Sequence, residues 1–173
     1  TDAKKFGRML HCLLFEHDQF TSRYRAWNDR RAGHDYADFL KDADAAGAEV
    51  VLAKGEYSLT QATSAAQCFL ANPKIQAIIK AGQAEQTLLS TEGDVQTKCR
   101  LDWLSASEHC LADLKSTRSI GSRAFGSQFF GLKYGIKLGL YQHWLEAYTG
   151  ERWPVQVLAL ENKPPFDSAV IPI

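Results

Sequence analysis

Apolar residues recur at helical spacing in the first part of the chain. Residues 4–15 carry them three or four positions apart, which predicts a helix, and the same pattern predicts helices over 59–71 and over 73–80. The last of these starts with a proline, which suits a first helical turn. Between the first two helices, residues 36–56 are acidic and rich in Ala and Gly, with a short apolar run at their end, and we predict a surface excursion there.

The middle of the chain alternates between polar and apolar residues, as β-strands do. Three such runs follow one another at 85–90, 95–104 and 110–116, with short polar turns between them. Because strands joined by short turns pair antiparallel, this arrangement predicts a three-strand antiparallel meander.

Helical spacing returns over residues 125–148, which we predict to form one long amphipathic helix. An apolar strand is predicted to follow at 153–161, and prolines predict an irregular tail after it. The mixture of helices and strands predicts an α/β fold, and the length of 173 residues predicts a single domain over 1–173.

Composition places the chain among globular proteins. Hydrophobic residues make up 45% and charged residues 23% of the sequence, which excludes a disordered chain or a collagen-like repeat. No apolar run approaches the ~18 residues that cross a bilayer, so we expect no membrane partner. The cysteines form no C-x-x-C pair. This argues against a zinc site, and we predict buried free thiols in a reducing cytoplasm. The four cysteines are Cys12, Cys68, Cys99 and Cys110.

Charge is balanced overall but not along the chain. The 20 Lys and Arg residues match the 20 Asp and Glu residues, so the formal net charge is zero. Residues 1–31 carry 7 basic and 4 acidic side chains and residues 98–137 carry 7 and 3, whereas residues 32–97 carry 4 and 9. Two segments are therefore basic enough to face nucleic acid, although the whole surface is not.

Asp102, Asp113 and Lys115 are the strongest candidates for chemistry. Each lies in a strand of mainly apolar residues, and a hairpin can place Asp102 beside Asp113 with Lys115 on the same face. Two converging carboxylates suit Mg²⁺ or Mn²⁺, and a lysine beside them can orient water or stabilise the charge that develops on a phosphate. The alternative from these residues alone is a cross-strand salt bridge on a solvated sheet face.

The runs LDWL and LADLKST around these residues resemble the PD-(D/E)xK nuclease superfamily, and within it the RecE-type (exodeoxyribonuclease VIII) exonucleases of phage recombination. The separation of Asp102 and Asp113 by eleven residues, with Lys115 two further on, matches the spacing in that family. The resemblance implies a restriction-endonuclease-like core, with a mixed sheet flanked by helices. It extends to FGRMLHCLLFE, GQAEQTLL, KCRLDWL, KYGIKLGLYQHWLEAYTG and VQVLALENKPP.

The resemblance also implies a role for each matching residue. Asp102 and Asp113 would be metal ligands, together with the main-chain carbonyl of Leu114. His11 would complete the ligand set of a site for one or two Mg²⁺ or Mn²⁺ ions. Lys115 would be the catalytic lysine.

Glu85 matches an acidic position that precedes the first strand in the family, where it would belong to the catalytic centre and hold water at the metal. Its alternative role is to cap the junction between a helix and a strand. For His11, the alternative is a core histidine with its hydrogen bonds satisfied, because it lies inside an apolar helical stretch.

The family's Q-x-x-x-Y motif, which contacts DNA, falls on the predicted long helix. Tyr141 matches its tyrosine, but Lys137 stands where glutamine is expected, so a cation that can meet a phosphate replaces an amide on the same helix face. Lys98, Arg100 and Arg118 flank the proposed site in sequence, and they would bind phosphates whatever the base sequence. As solvated surface charges they would have no such role.

The resemblance implies a Mg²⁺-dependent deoxyribonuclease, an exonuclease that digests linear double-stranded DNA from 5′ to 3′ in phage-type recombination. It further implies a ring-like homo-oligomer that acts with a single-strand annealing protein in the cytoplasm of a bacterial host, encoded by a phage or prophage. The alternatives are a structure-specific endonuclease of the same superfamily and a catalytically inactive DNA-binding module.

Overall fold

A computed structural model describes residues 2–80 and 82–173, except for the side chain of Glu92. The chain divides into two compact units, Thr1–Gln67 and Cys68–Ile173. The expectation of a single nuclease domain over residues 1–173 stays a prediction. In the described residues, no helix combines the length and the apolar character that crossing a bilayer requires.

The first unit consists mainly of helices. Its elements are α1 (Asp2–Phe15), a 3₁₀ turn (His17–Gln19), α2 (Phe20–Arg23), β1 (Tyr24–Trp27), α3 (His34–Ala45), β2 (Glu49–Leu52) and most of α4 (Leu59–Ala71). The predicted helices over 4–15 and 59–71 are confirmed within two residues at each end.

Residues 36–56 lie mostly at the surface, as predicted, but they contain secondary structure that was not predicted. These residues form most of α3 and the whole of β2, which pairs in parallel with β1. Ala43 on the helix and Val51 on the strand are buried. Composition did not reveal this helix because alanine is a strong helix former whose small side chain gives little apolar pattern.

The second unit is built around a five-stranded mixed sheet in the order β3-β4-β5-β6-β7. Its elements are α5 (Pro73–Ile79), β3 (Gly82–Glu92), β4 (Val95–Ser105), β5 (Cys110–Thr117), α6 (Ser122–Gly131), α7 (Tyr134–Thr149), β6 (Val155–Glu161) and β7 (Ser168–Pro172). β3, β4 and β5 form the predicted antiparallel meander, β6 joins β5 in parallel, and β7 is antiparallel to β6. This mixed sheet with its helices confirms the predicted restriction-endonuclease-like α/β fold.

Two predictions about the last third of the chain need correction. The tail is not irregular throughout, because β7 adds an edge strand that ends at Pro172, where a missing N–H costs little. The single helix predicted over 125–148 is two helices, α6 and α7. The break lies at Lys133, whose φ of +55° is left-handed and cannot continue a right-handed helix.

Burial concentrates on the two central strands. β5 is buried at every position from Cys110 to Leu114, and β6 at most of its positions. Leu138 and Leu145, one face of α7, pack in the same cluster as Leu111 and Val157. This packing fixes the turn of α7 that carries Lys137, and so directs that lysine toward β5.

The cysteines are free thiols, as expected, and three of the four are buried. Cys68 is exposed, which contradicts the prediction for that residue. Its neighbour on α4, Phe69, is buried. Successive residues of a helix point in different directions, and Cys68 lies on the exposed face.

Candidate active site

The strands β4 and β5 pair over only three residues and then separate. The register ends at Trp103 opposite Ala112, although both strands continue. Asp102, the residue before Trp103, lies where the two strands separate. Its Oδ2 accepts a hydrogen bond from the main-chain N–H of Leu114 at 3.0 Å. A carboxylate therefore takes the place of the next ladder partner and is held at the opening between the strands.

Asp113 lies on the other side of this opening, with its side chain buried. Its Oδ2 accepts a hydrogen bond from Nζ of Lys115, and Nζ of Lys137 lies 3.3 Å from its Oδ1. Each oxygen of this carboxylate therefore faces a different ammonium group. Lys115 also reaches the main-chain carbonyl of Leu114, at 3.4 Å.

Burial raises the pKa of Asp113, and the negative charge of Asp102 raises it further, while the two lysines oppose both effects. For Lys137, burial lowers the pKa, but the attraction of Asp113 and Asp102 outweighs burial, so the pKa ends above its ordinary value. Lys137 is thus a permanent positive charge at neutral pH.

Glu85 brings a third carboxylate to the opening. Ala84 pairs with Trp103 and Gln86 with Leu101, so Glu85 stands directly opposite Asp102. Its φ of +57° is left-handed, in a region that a β-strand residue rarely adopts. A carboxylate oxygen of Glu85 and one of Asp102 lie within 4.8 Å of each other. Backbone strain at this one position accompanies the convergence of the two side chains.

Arg100 lies two residues before Asp102 on β4, and its guanidinium forms an ion pair with Glu85. Glu85 is therefore held by a cation on the neighbouring strand. These contacts do not favour the alternative in which Glu85 caps the junction between a helix and a strand. The sequence assigned Arg100 to DNA phosphates; that role stays a prediction.

The donor set suits a hard divalent cation. Two oxygens that share one Mg²⁺ lie at most about 4.2 Å apart, because each binds at about 2.1 Å. The oxygens of Glu85 and Asp102, which lie within 4.8 Å of each other, therefore need only a small side-chain shift to bind one ion. Glu85, Asp102, Asp113 and the carbonyl of Leu114 are the residues of the second unit that would hold it. All four supply oxygen, the atom that Mg²⁺ and Mn²⁺ prefer.

Two tyrosines of α7 flank the lysines. Nζ of Lys115 lies 4.9 Å from the ring centroid of Tyr134, and Nζ of Lys137 lies 4.8 Å from that of Tyr141. Aromatic faces attract cations at this distance. The apolar pattern of the predicted long helix did not indicate the contact of Tyr134 with Lys115. The available signal was the position of Tyr134 three residues before Lys137, on the same face of the helix.

The roles of the remaining candidates stay predictions. Lys98 is exposed on β4, and Arg118 is exposed just after β5. His11 lies half-buried on α1 in the first unit, with its Nδ1 3.9 Å from Oε2 of Glu16 and its ring packed edge-on against Phe15.

Comparison with known proteins gives one family and one described fold relative. Residues 1–173 match the sequence model of a family described as a PDDEXK-like domain of unknown function (DUF3799). The crystal structure of a putative exonuclease from Eubacterium rectale is 17% identical to this chain and superposes with a TM-score of 0.64. That match covers 100% of this chain and 59% of the other chain. No curated protein matches the sequence.

Proposed function

The chain belongs to the PDDEXK-like family of the PD-(D/E)xK nuclease superfamily, and from that premise we propose that it is a metal-dependent exonuclease acting on linear double-stranded DNA. The family membership supports a nuclease-type enzyme. The chain spans 59% of the length of the exonuclease-like structure that it resembles. The exonuclease activity suggested for that longer protein is therefore only proposed for this chain.

The observation that carries the proposal is the opening between β4 and β5. It holds Asp102 and Asp113 at adjoining strand positions and places Lys115 on Asp113. Carboxylates that converge where two strands separate can bind a cation and still leave room for a phosphodiester. A solvated salt bridge would not need a buried aspartate, and Asp113 is 1% exposed.

Each residue has a distinct part in the proposed hydrolysis. A divalent ion, Mg²⁺ or Mn²⁺, would supply the charge that activates water and neutralises the reacting phosphate. Asp102 and Asp113 would hold that ion in place, and Glu85, fixed by Arg100, would orient water beside it. Lys115 donates to Asp113 in this structure, and from there its ammonium can turn to the negative charge that builds up on the phosphate oxygens.

Further parts of the proposal rest on the family resemblance. We include His11 as an additional metal ligand. Lys98 and Arg118 are included as phosphate contacts, together with the Lys137–Tyr141 face of α7. Digestion from 5′ to 3′ in phage-type recombination, a ring-like homo-oligomer and cooperation with a single-strand annealing protein belong to the same expectation.

Linear and covalently closed circular duplexes of the same sequence test the proposal. With Mg²⁺, we expect loss of the linear form only, with label released first from the 5′ end. Equal cutting of both forms would instead identify an endonuclease. Binding without hydrolysis would identify an inactive DNA-binding module.

The Lys115→Met variant separates chemistry from binding in the same assay. Because the ammonium acts on charge that develops during the reaction, we expect single-turnover cleavage to fall by about 10²-fold or more. Duplex affinity, measured in Ca²⁺, should change by less than about threefold, since one phosphate contact contributes little to the total. Equal losses of affinity and rate would contradict this role.

A further inference from the structure

We propose that the ammonium of Lys137 takes the place of a second metal ion at Asp113, so that each chain binds a single divalent cation. This rests on the metal-dependent activity proposed above. It assigns to Lys137 a role at the metal site in addition to the phosphate contact that its position in the sequence motif suggests.

Lys137 occupies one side of the Asp113 carboxylate. Oδ1 of Asp113 faces Lys137 at 3.3 Å, while Oδ2 is paired with Lys115. Lys115 is nearly buried, whereas the Lys137 side chain is 42% exposed and enters from α7. A second ion bound on the Oδ1 side would have to occupy the same space as the Lys137 ammonium.

Lys137 is also held in its position from two sides. Its Nζ lies over the ring of Tyr141, four residues later on the same helix face. Leu138, the next residue, is completely buried and anchors that turn of α7 to the sheet. The fold therefore holds the Lys137 ammonium at a defined position in the opening.

Charge counting leads to the same conclusion. The opening brings together three carboxylates and three side-chain cations, which balance before any metal binds. One divalent ion makes the site positive by two charges, and that excess matches an incoming phosphodiester and its neighbour. A second ion would double the excess within a few ångströms, at a large electrostatic cost. The six groups are Glu85, Asp102, Asp113, Arg100, Lys115 and Lys137.

Counting bound Mn²⁺ by electron paramagnetic resonance, on the protein alone, tests the proposal. The wild-type chain should bind one Mn²⁺. Lys137→Gln, which restores the amide of the family motif, should bind two, the first about tenfold more tightly because a nearby positive charge is gone. Lys137→Arg keeps the charge and should still bind one. Lys133→Gln is the matched control, because it removes the same charge one turn earlier from an exposed residue, and it should also bind one.

Two Mn²⁺ ions on the wild-type chain would overturn the proposal, as would a single ion on Lys137→Gln, whatever its affinity. Circular dichroism of each variant verifies that the fold is retained. The dependence of cleavage on Mg²⁺ gives a second readout, with a Hill coefficient near 1 in the wild type that rises in Lys137→Gln. A chain that cleaves DNA with two bound ions would leave the nuclease proposal standing and remove only this inference. Binding of no Mn²⁺ would remove both.

Discussion

Asp113 must satisfy requirements that conflict. It is buried, it lies close to the negative charge of Asp102, and it has to be ionised to hold a cation. The two lysines compensate for part of this cost, but burial and Asp102 still leave its pKa raised. A residue that is less favourable for stability than a neutral one of the same shape is typical of a functional site.

The variant Asp113→Asn should therefore be more stable than the wild type and inactive. An acid whose pKa is raised by folding binds more protons in the folded state than in the unfolded state, so stability falls as the pH rises from the ordinary carboxyl range through the raised pKa. Asparagine mimics the protonated form. We expect its melting temperature, in EDTA, to exceed that of the wild type by a few degrees at pH 8.

The same comparison at lower pH checks the cause. Toward about pH 3, where the wild-type carboxyl is mostly protonated in both states, the two melting temperatures should converge. Asp167→Asn, at an exposed aspartate, is the control and should show no such convergence. A variant that melts below the wild type at pH 8 would show that the lysine pairs stabilise the fold by more than the burial of Asp113 costs.

At the residue level, the sequence predicts some contacts better than others. The spacing of Asp102, Asp113 and Lys115 was sufficient to expect them together, because the period of two and the hairpin leave few alternatives. The partner of Lys137 could not be predicted. A position on a helix face gives the direction of a side chain but not what lies opposite, and only the packing of α7 against the sheet brings Lys137 to Asp113.

At the level of elements, the meander and most helices followed from periodicity alone. The division between α6 and α7 did not, because the apolar spacing continues across it and the left-handed residue is a lysine, where a glycine would have marked the break. The strand pair β1 and β2 was also missed, since each has only four residues. Runs of that length are too short for periodicity to be recognised.

The junction between α6 and α7 makes a prediction about stability. Lys133 has a φ of +55°, which glycine adopts without the steric cost that a Cβ incurs. Lys133→Gly should therefore unfold with a free energy about 1 kcal/mol higher than Lys133→Ala, measured by urea denaturation.

A glycine on a regular part of the same helix gives the opposite result and serves as the control. Ala147 is exposed on α7, and Ala147→Gly should lower the free energy of unfolding by about 0.5–1 kcal/mol. If Lys133→Gly were also less stable than Lys133→Ala, the left-handed break between α6 and α7 would not exist in solution.

At the scale of the whole molecule, zero net charge limits how DNA can be bound. The basic surplus lies in residues 1–31 and 98–137, and the second of these segments contains the opening between β4 and β5. Two of its predicted phosphate contacts, Arg100 and Lys137, already pair with carboxylates. Few cations of this segment are therefore left to bind phosphates other than the reacting one. We expect the protein to contact the DNA mainly at the opening.

The salt dependence of DNA binding measures this directly. The Asp113→Asn variant in Ca²⁺ prevents cleavage during the measurement. For a linear duplex, we expect a plot of the logarithm of the association constant against the logarithm of the salt concentration to have a slope shallower than about −4. Each phosphate contact contributes about −0.9 to that slope. Lys98→Gln should make the slope shallower by about 0.9, whereas Lys74→Gln, at an exposed lysine of α5, should not. A slope of about −6 or steeper would show a large basic footprint. With only a few contacts per chain, long digestion without release would require the DNA to be encircled, as the ring of chains implied by the family resemblance would do.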